Sequence, residues 1–248
     1  MSRTGVRPAL IVAPGMLSKS AARTFFLLGT VLCTGAFVVL TVDTFGRIPE
    51  QTRAEAITPE VIHGKQLWEQ YNCMGCHTLF GEGAYYAPDL TLVYARRGPM
   101  FIRAMLTDPE GMYPGERRMV KYELTPVEQD ALIAFFEWTG QVDLNGFPGP
   151  ATIGLAGAGA RPPSAFTAPA VFQQVCTACH AVDGWGGKVG PSLDGVASRY
   201  DADYLRRWLE DPKAIKPDSR MPRLELTPEQ ITELVDYLST LEAAEVGR

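Results

Sequence analysis

The sequence predicts an all-α chain in which one N-terminal transmembrane helix precedes two copies of a single helical domain. Three observations carry this. The stretch from Phe25 to Val42, FFLLGTVLCTGAFVVLTV, is 18 residues without a charge. His77 and His180 head two sets of residues with closely matched spacing. Proline-led amphipathic helices fall at corresponding places in both sets.

The uncharged stretch comes first in the chain. As a helix it covers about 27 Å, close to the ~30 Å hydrocarbon core of a bilayer. A cleaved signal peptide is the competing reading, but DTFGR follows where a small-x-small cleavage site would stand. Residues 1–24 carry Arg3, Arg7, Lys19 and Arg23 and no acid, which holds the N-terminus in the cytoplasm and puts everything after Asp43 outside. Beyond residue 24 the chain has 19 basic and 28 acidic side chains, a balance with no footing for nucleic acid. Cys33 and the threonines of the apolar run read as ordinary membrane-helix residues.

The repeat fills the rest. Pro88 and Pro191 each lie 11 residues after their histidine and open a P-x-L, PDL and PSL. Arg96 and Arg199 each lie 8 further on; Met119 follows His77 by 42 and Met221 follows His180 by 41. The same tetrapeptide, ELTP, stands at Glu123–Pro126 and Glu225–Pro228. Thr125 and Thr227 suit N-caps, with proline at the first helical position and Glu128 or Gln230 as the return partner of a capping box. Thr58-Pro59 starts the first helix of copy one, and Thr167 and Pro169 are expected to do the same for copy two. Between the copies, NGFPGPATIGLAGAGARPP is too rich in Gly, Pro and Ala to pack a core. The expected organisation is a basic N-terminus at 1–24, an anchor at 25–42, domain one at 43–144, a linker at 145–164 and domain two at 165–248.

Four of the five cysteines fall in two C-x-x-C-H units, Cys73-Cys76-His77 and Cys176-Cys179-His180. Two thiols one turn apart match the two vinyl groups of a haem, and the adjacent histidine is aimed at the iron. Such a unit alone also serves as a redox dithiol or half a zinc site. A zinc site from all four cysteines would leave the matched Pro, Arg and Met positions unexplained. The sixth ligand is expected from a methionine, Met119 in one copy and Met221 in the other. Met100, Met105 and Met112 compete with Met119. Pro88 and Pro191 are expected to orient the histidine rings through their carbonyls. Arg96 and Arg199 suit haem propionates, or are solvated loop charges. His63, the one histidine outside the units, reads as a surface helix residue.

Copy one resembles the cytochrome c subunit of bacterial nitric-oxide reductase over residues 20–147. The residues that carry the resemblance are GKQLWEQYNCMGCHTLFGEGAYYAPDL, VYARRG, PGERRM and FFEWTG. From Ala165 on, the chain looks like a class I cytochrome c appended through the linker. The resemblance implies two class I cytochrome c domains with covalent haem c, held periplasmic on the bacterial inner membrane. It also implies a large catalytic partner subunit with haem b and non-haem iron that reduces NO to N2O, and a soluble cytochrome c or cupredoxin donor. GEGAYY is expected to face the large subunit, with Gly83 and Tyr85 matching positions that offer ligands to an interface calcium. The competing reading has this run shape only the haem loop.

The function expected is electron entry: donor to the haem of domain two, then that of domain one, then the large subunit, with no catalytic residue in this chain. A dihaem subunit of a cbb-type cytochrome oxidase is a second reading, against which GEGAYYAPDL argues. A dihaem peroxidase is a third; it needs an open iron site, and the two methionines argue against it.

Overall fold

The computed structural model describes residues 18–115, 118–147, 149 and 167–242. Arg3 and Arg7, nearly all of the expected linker and the last six residues lie outside this set.

The N-terminal unit is a single helix, α1, over Lys19–Gln51. Ser18 Oγ accepts from the Ala21 amide and caps its start. The helix overruns the uncharged stretch at both ends, because a charge ends an apolar run without ending a helix. Arg47 Nε pairs with Asp43 at 3.0 Å, one turn apart, beyond the uncharged stretch. None of its side chains is buried, and Phe25 and Leu32 are 75% and 71% exposed. An apolar surface on every side of a helix suits lipid and not water. This is one helix long and apolar enough to cross a membrane.

The second unit holds both copies. Copy one comprises α2 (Pro59–Gln70), α3 (Val93–Thr107), α4 (Pro109–Met112) and α5 (Pro126–Thr139). Copy two comprises α6 (Ala170–Gln174), α7 (Val196–Arg199), α8 (Ala202–Glu210), α9 (Pro212–Ile215) and α10 (Pro228–Ser239). Thr58 caps α2 through the Val61 amide. Full capping boxes close on α5 and α10, Thr125 with Glu128 and Thr227 with Gln230. The expected start of copy two is corrected. Pro169 occupies the N-cap of α6, where a proline offers no side-chain acceptor, and no side-chain hydrogen bond caps this helix.

The repeat extends into details that its motifs did not announce. Asp108 and Asp211 cap α4 and α9, each followed by proline. In copy one α3 is kinked at Gly98, φ 73°; in copy two the same place is a break between α7 and α8. Each copy also contains a two-residue antiparallel hairpin in an otherwise helical fold. Thr78–Leu79 (β1) pairs with Glu82–Gly83 (β2), and Ala181–Val182 (β3) with Trp185–Gly186 (β4). Both turn residues have positive φ: Phe80 and Gly81 at 55° and 83°, Asp183 and Gly184 at 51° and 75°. That is the signature of the tight two-residue hairpin turn.

Two apolar cores result. One joins α2, α3 and α5 around Leu67, Trp68, Ile102, Leu132 and Phe136. The other gathers Phe172, Leu205, Leu209, Leu234 and Leu238 of copy two, and it takes in Phe101 and Met112 of copy one. Helix α3 therefore has two buried faces, one in each core.

Candidate haem sites

In each copy a one-turn 3₁₀ helix opens the C-x-x-C-H loop, Cys73–Gly75 and Cys176–Ala178. The histidine amide closes it, His77 N to Cys73 O and His180 N to Cys176 O, both 2.9 Å. The next chain segment folds back over the loop. The Leu90 amide donates to Thr78 O and that of Leu193 to Ala181 O, both at 2.9 Å. This return places Pro88 O 2.8 Å from His77 Nδ1 and Pro191 O 2.8 Å from His180 Nδ1. A carbonyl can only accept, so Nδ1 carries the proton and Nε2 keeps its lone pair for a metal.

A hydroxyl and a carboxylate pin the return loop, and the copies hold them in opposite order. In copy one Thr91 Oγ1 takes the Phe80 amide at 2.8 Å and Asp89 supports it from two residues earlier. In copy two Asp194 takes the corresponding Asp183 amide at 2.7 Å, and Ser192 bonds to that carboxylate at 2.6 Å. The arginines complete the clamp. Arg96 donates to Asp89 O at 2.7 Å, and Arg199 to Asp194 O at 2.8 Å and Ser192 O at 3.3 Å. Both guanidiniums are thus tied to the loop behind the histidine. Burial lowers the Arg96 pKa from its usual value, opposed by Asp89.

Copy two has a cavity of about 1010 Å³ whose walls include Cys176, Cys179, His180 and Met221. Histidine, methionine and both cysteines thus border one mostly apolar space, the donor set and shape a covalent haem requires. Trp208 donates its indole N–H to Met221 Sδ at 3.1 Å. In copy one Trp68 packs 6.4 Å from the His77 ring, centroid to centroid. Met119 is half-buried against copy one's own core, whereas Met100, Met105 and Met112 all face the core of copy two. Packing therefore also sets Met119 apart from the three methionines that compete with it.

Burial pushes the Cys73 thiol up to about 11 and the Cys176 thiol up to about 12. A redox dithiol needs the opposite shift. Among the described residues no three of His, Cys, Asp and Glu gather as a metal cluster would require. His63 is half-buried on α2.

The GEGAYY run divides. A Cβ on Gly83, φ 123°, would overlap the His77 carbonyl oxygen, and one on Gly186, φ 126°, would overlap that of His180. The glycine is thus a requirement of the hairpin in both copies, and the pair Gly81/Gly83 recurs as Gly184/Gly186. The sequence signal, G-x-G four residues after each histidine, was there to be found. What is peculiar to copy one is the aromatic part: Tyr85 is 85% and Tyr86 55% exposed.

Comparison with known proteins agrees with this geometry. The cytochrome c family matches residues 61–140 and 167–242, one stretch in each copy and together more than half the chain. The nitric oxide reductase C subunit of Stutzerimonas stutzeri is 38% identical over 137 residues, 53% of this chain and 93% of that protein. The chain belongs to the family of nitric oxide reductase C subunits. The C subunit of Paracoccus denitrificans is 33% identical over 150 residues, 54% of this chain and 95% of the relative. Nearly half of this chain therefore lies outside the match. Cytochrome c2 iso-2 of Magnetospirillum molischianum is 33% identical over 95 residues, 30% of this chain and 97% of its own. Cytochrome c domains imply covalent haem c, and the C subunit is the electron-transfer partner in its complex and not the catalytic one.

Proposed function

We propose that this chain is a membrane-anchored dihaem cytochrome c that carries electrons from a soluble periplasmic donor to the catalytic subunit of nitric-oxide reductase. The observation that carries it is the duplicated site. Each C-x-x-C-H histidine is oriented by a proline carbonyl at 2.8 Å, and each copy packs a methionine of the expected spacing against its own core. Cys73 and Cys76, and Cys176 and Cys179, would hold one haem each through thioethers. His77 with Met119, and His180 with Met221, would ligate the irons. A bound haem supplies a one-electron couple. The chain's own part is to fix the histidine tautomer, exclude water with the two cores and set the potential through the methionine sulfur.

Domain two is the entry point in this reading and domain one the exit toward a partner that holds haem b and non-haem iron. The exposed Tyr85 and Tyr86 suit a contact with that partner, and the interface calcium at Gly83 and Tyr85 belongs to the same proposal. The amino-terminal segment lies in the cytoplasm and both haem domains in the periplasm.

Purification from native membrane in mild detergent tests the whole. Expected are two acid-acetone-resistant haems per chain, a co-purifying large subunit and NO consumption. A complex that consumes O2 and not NO favours the cbb-type oxidase reading. Carbon monoxide binding to the reduced chain favours the peroxidase reading.

A further inference from the structure

The two C-x-x-C loops have the same internal geometry and different surroundings. In copy one Met74 is 39% exposed and Cys76 is exposed as well. In copy two Thr177, in the place of Met74, is 8% exposed, Ala178, in the place of the exposed Gly75, is 6% exposed, and Cys179 is half-buried. Thr177 is tied to its own copy, through Gln173 O at 2.6 Å and the Gly187 amide at 2.8 Å, and copy one covers the Ala178–Cys179 side. Cys179 Sγ lies 3.9 Å from Met112 O, and Tyr113 Oη donates to Ala178 O at 3.4 Å. Gly111 and Met112 form part of the wall of copy two's cavity.

We propose that the Gly111–Tyr113 corner of copy one is a built-in docking face for copy two, closing the Cys179 side of its pocket and withdrawing that edge from every outside partner. The proposal rests on the reading that each copy holds a haem. Three features argue for a specific seat. Phe101 and Met112, 8% and 4% exposed, are buried in the core of copy two and not in that of their own copy. Gly98, at φ 73°, leaves room for Gln174, whose Oε1 would stand 3.1 Å from a Cβ there; Gln174 Nε2 donates to Ala95 O at 3.4 Å. Arg103 pairs with Asp130 of its own copy and, at 3.6 Å, with Glu225 of the other. Apolar side chains at the centre with hydrogen bonds and charges around them is the anatomy of a specific interface.

The face gives the chain a direction. What crosses it is one electron, lost by the copy-two centre and gained by the copy-one centre, with no bond made or proton moved. A donor is left with the rest of the cavity's rim, where Val189 and Tyr200 are 44% and 43% exposed. Copy one keeps its own thioether edge free for a further partner.

The test uses the full-length, haem-loaded chain with Phe101→Ala and Met112→Glu, and Tyr113→Phe as the mildest change. The readouts are hydrogen exchange over 176–180, the two midpoint potentials, and the rate of electron transfer between centres after pulse reduction. Expected are faster exchange at Thr177–Cys179, a lowered potential for the copy-two centre as water reaches it, and several-fold slower transfer between centres. Copy one's potential stays where it was. Unchanged exchange and unchanged transfer in all three variants would overturn the proposal. Should Met112→Glu fail to fold, Tyr113→Phe decides, since it removes one hydroxyl alone. The exchange readout needs no electron partner, so a chain found with one haem would sink the two-haem reading and leave the docking decided separately.

Discussion

The indole N–H of Trp208 points at the sulfur of Met221, 3.1 Å away. A sulfur that accepts a hydrogen bond gives less electron density to a metal and so favours the reduced centre. Trp208→Phe is therefore expected to lower the midpoint potential of the copy-two centre and leave copy one's unchanged. A redox titration with both centres resolved checks it, and an unchanged potential would mean that the indole does not act on the ligand.

Replacing the methionines tests the proposed ligation. Met221→His and Met119→His should each keep the haem and lower the potential of its own centre, because imidazole replaces the thioether. If Met119→His leaves copy one's potential alone, another side chain ligates that iron.

The GEGAYY run invites a paired experiment. Gly83→Val places a side chain where the backbone has φ 123° and the His77 carbonyl stands, so haem loading of copy one should fall. Tyr85→Ser touches an 85% exposed side chain and should leave the haem spectrum intact while weakening association with the large subunit. Normal assembly in the serine variant would remove the tyrosine from the interface.

The capping boxes offer a prediction about stability alone. Thr125→Ala leaves the Glu128 amide without its acceptor and should cost about 1 kcal/mol, a fall of roughly 2–4 °C in Tm for a unit that joins both copies. Thr227→Ala should behave alike in copy two. Calorimetry on the loaded protein measures both; no change would show that packing alone holds these helix starts.

Truncation after Phe147 tests the direction of flow. The shortened chain should assemble and support NO reduction with a small artificial reductant, but lose most of its rate with the physiological donor. Residues 165–248 carry 9 basic and 13 acidic side chains, so added salt should slow a basic donor with the full chain. Equal rates for both chains across a range of salt would remove copy two from the entry route.

The sequence carried a large part of this. The apolar run, the two C-x-x-C-H units, the P-x-L returns and both capping boxes are local patterns, each settled within a few residues of chain. Harder to read was whatever depends on a neighbour far along it. Trp208 touching Met221 across 13 positions follows from how α8 packs, and nothing in its own surroundings marks it. The exchange of Thr91 and Asp89 for Asp194 and Ser192 hides a shared function behind unlike residues. The double-faced packing of α3 eluded periodicity because an apolar residue looks the same whichever core receives it. Resemblance alone puts Gly83 at the interface, whereas setting the two copies side by side matches it with Gly186.

The close crossing of the first and last helices of copy one bears on biogenesis. A Cβ on Gly64 would overlap the Ala131 carbonyl oxygen, so α2 and α5 approach nearly backbone to backbone. The α2–α5 crossing can form only once Thr139 has been made, and it draws on nothing beyond that residue. Copy two is in the opposite position, since it takes Phe101 and Met112 from its predecessor to complete its interior. Maturation thus runs one way along the polypeptide, with the earlier copy as a template for the later. A lesion in copy one should leave copy two open to proteases, whereas after the reverse lesion the α2–α5 crossing should stay closed.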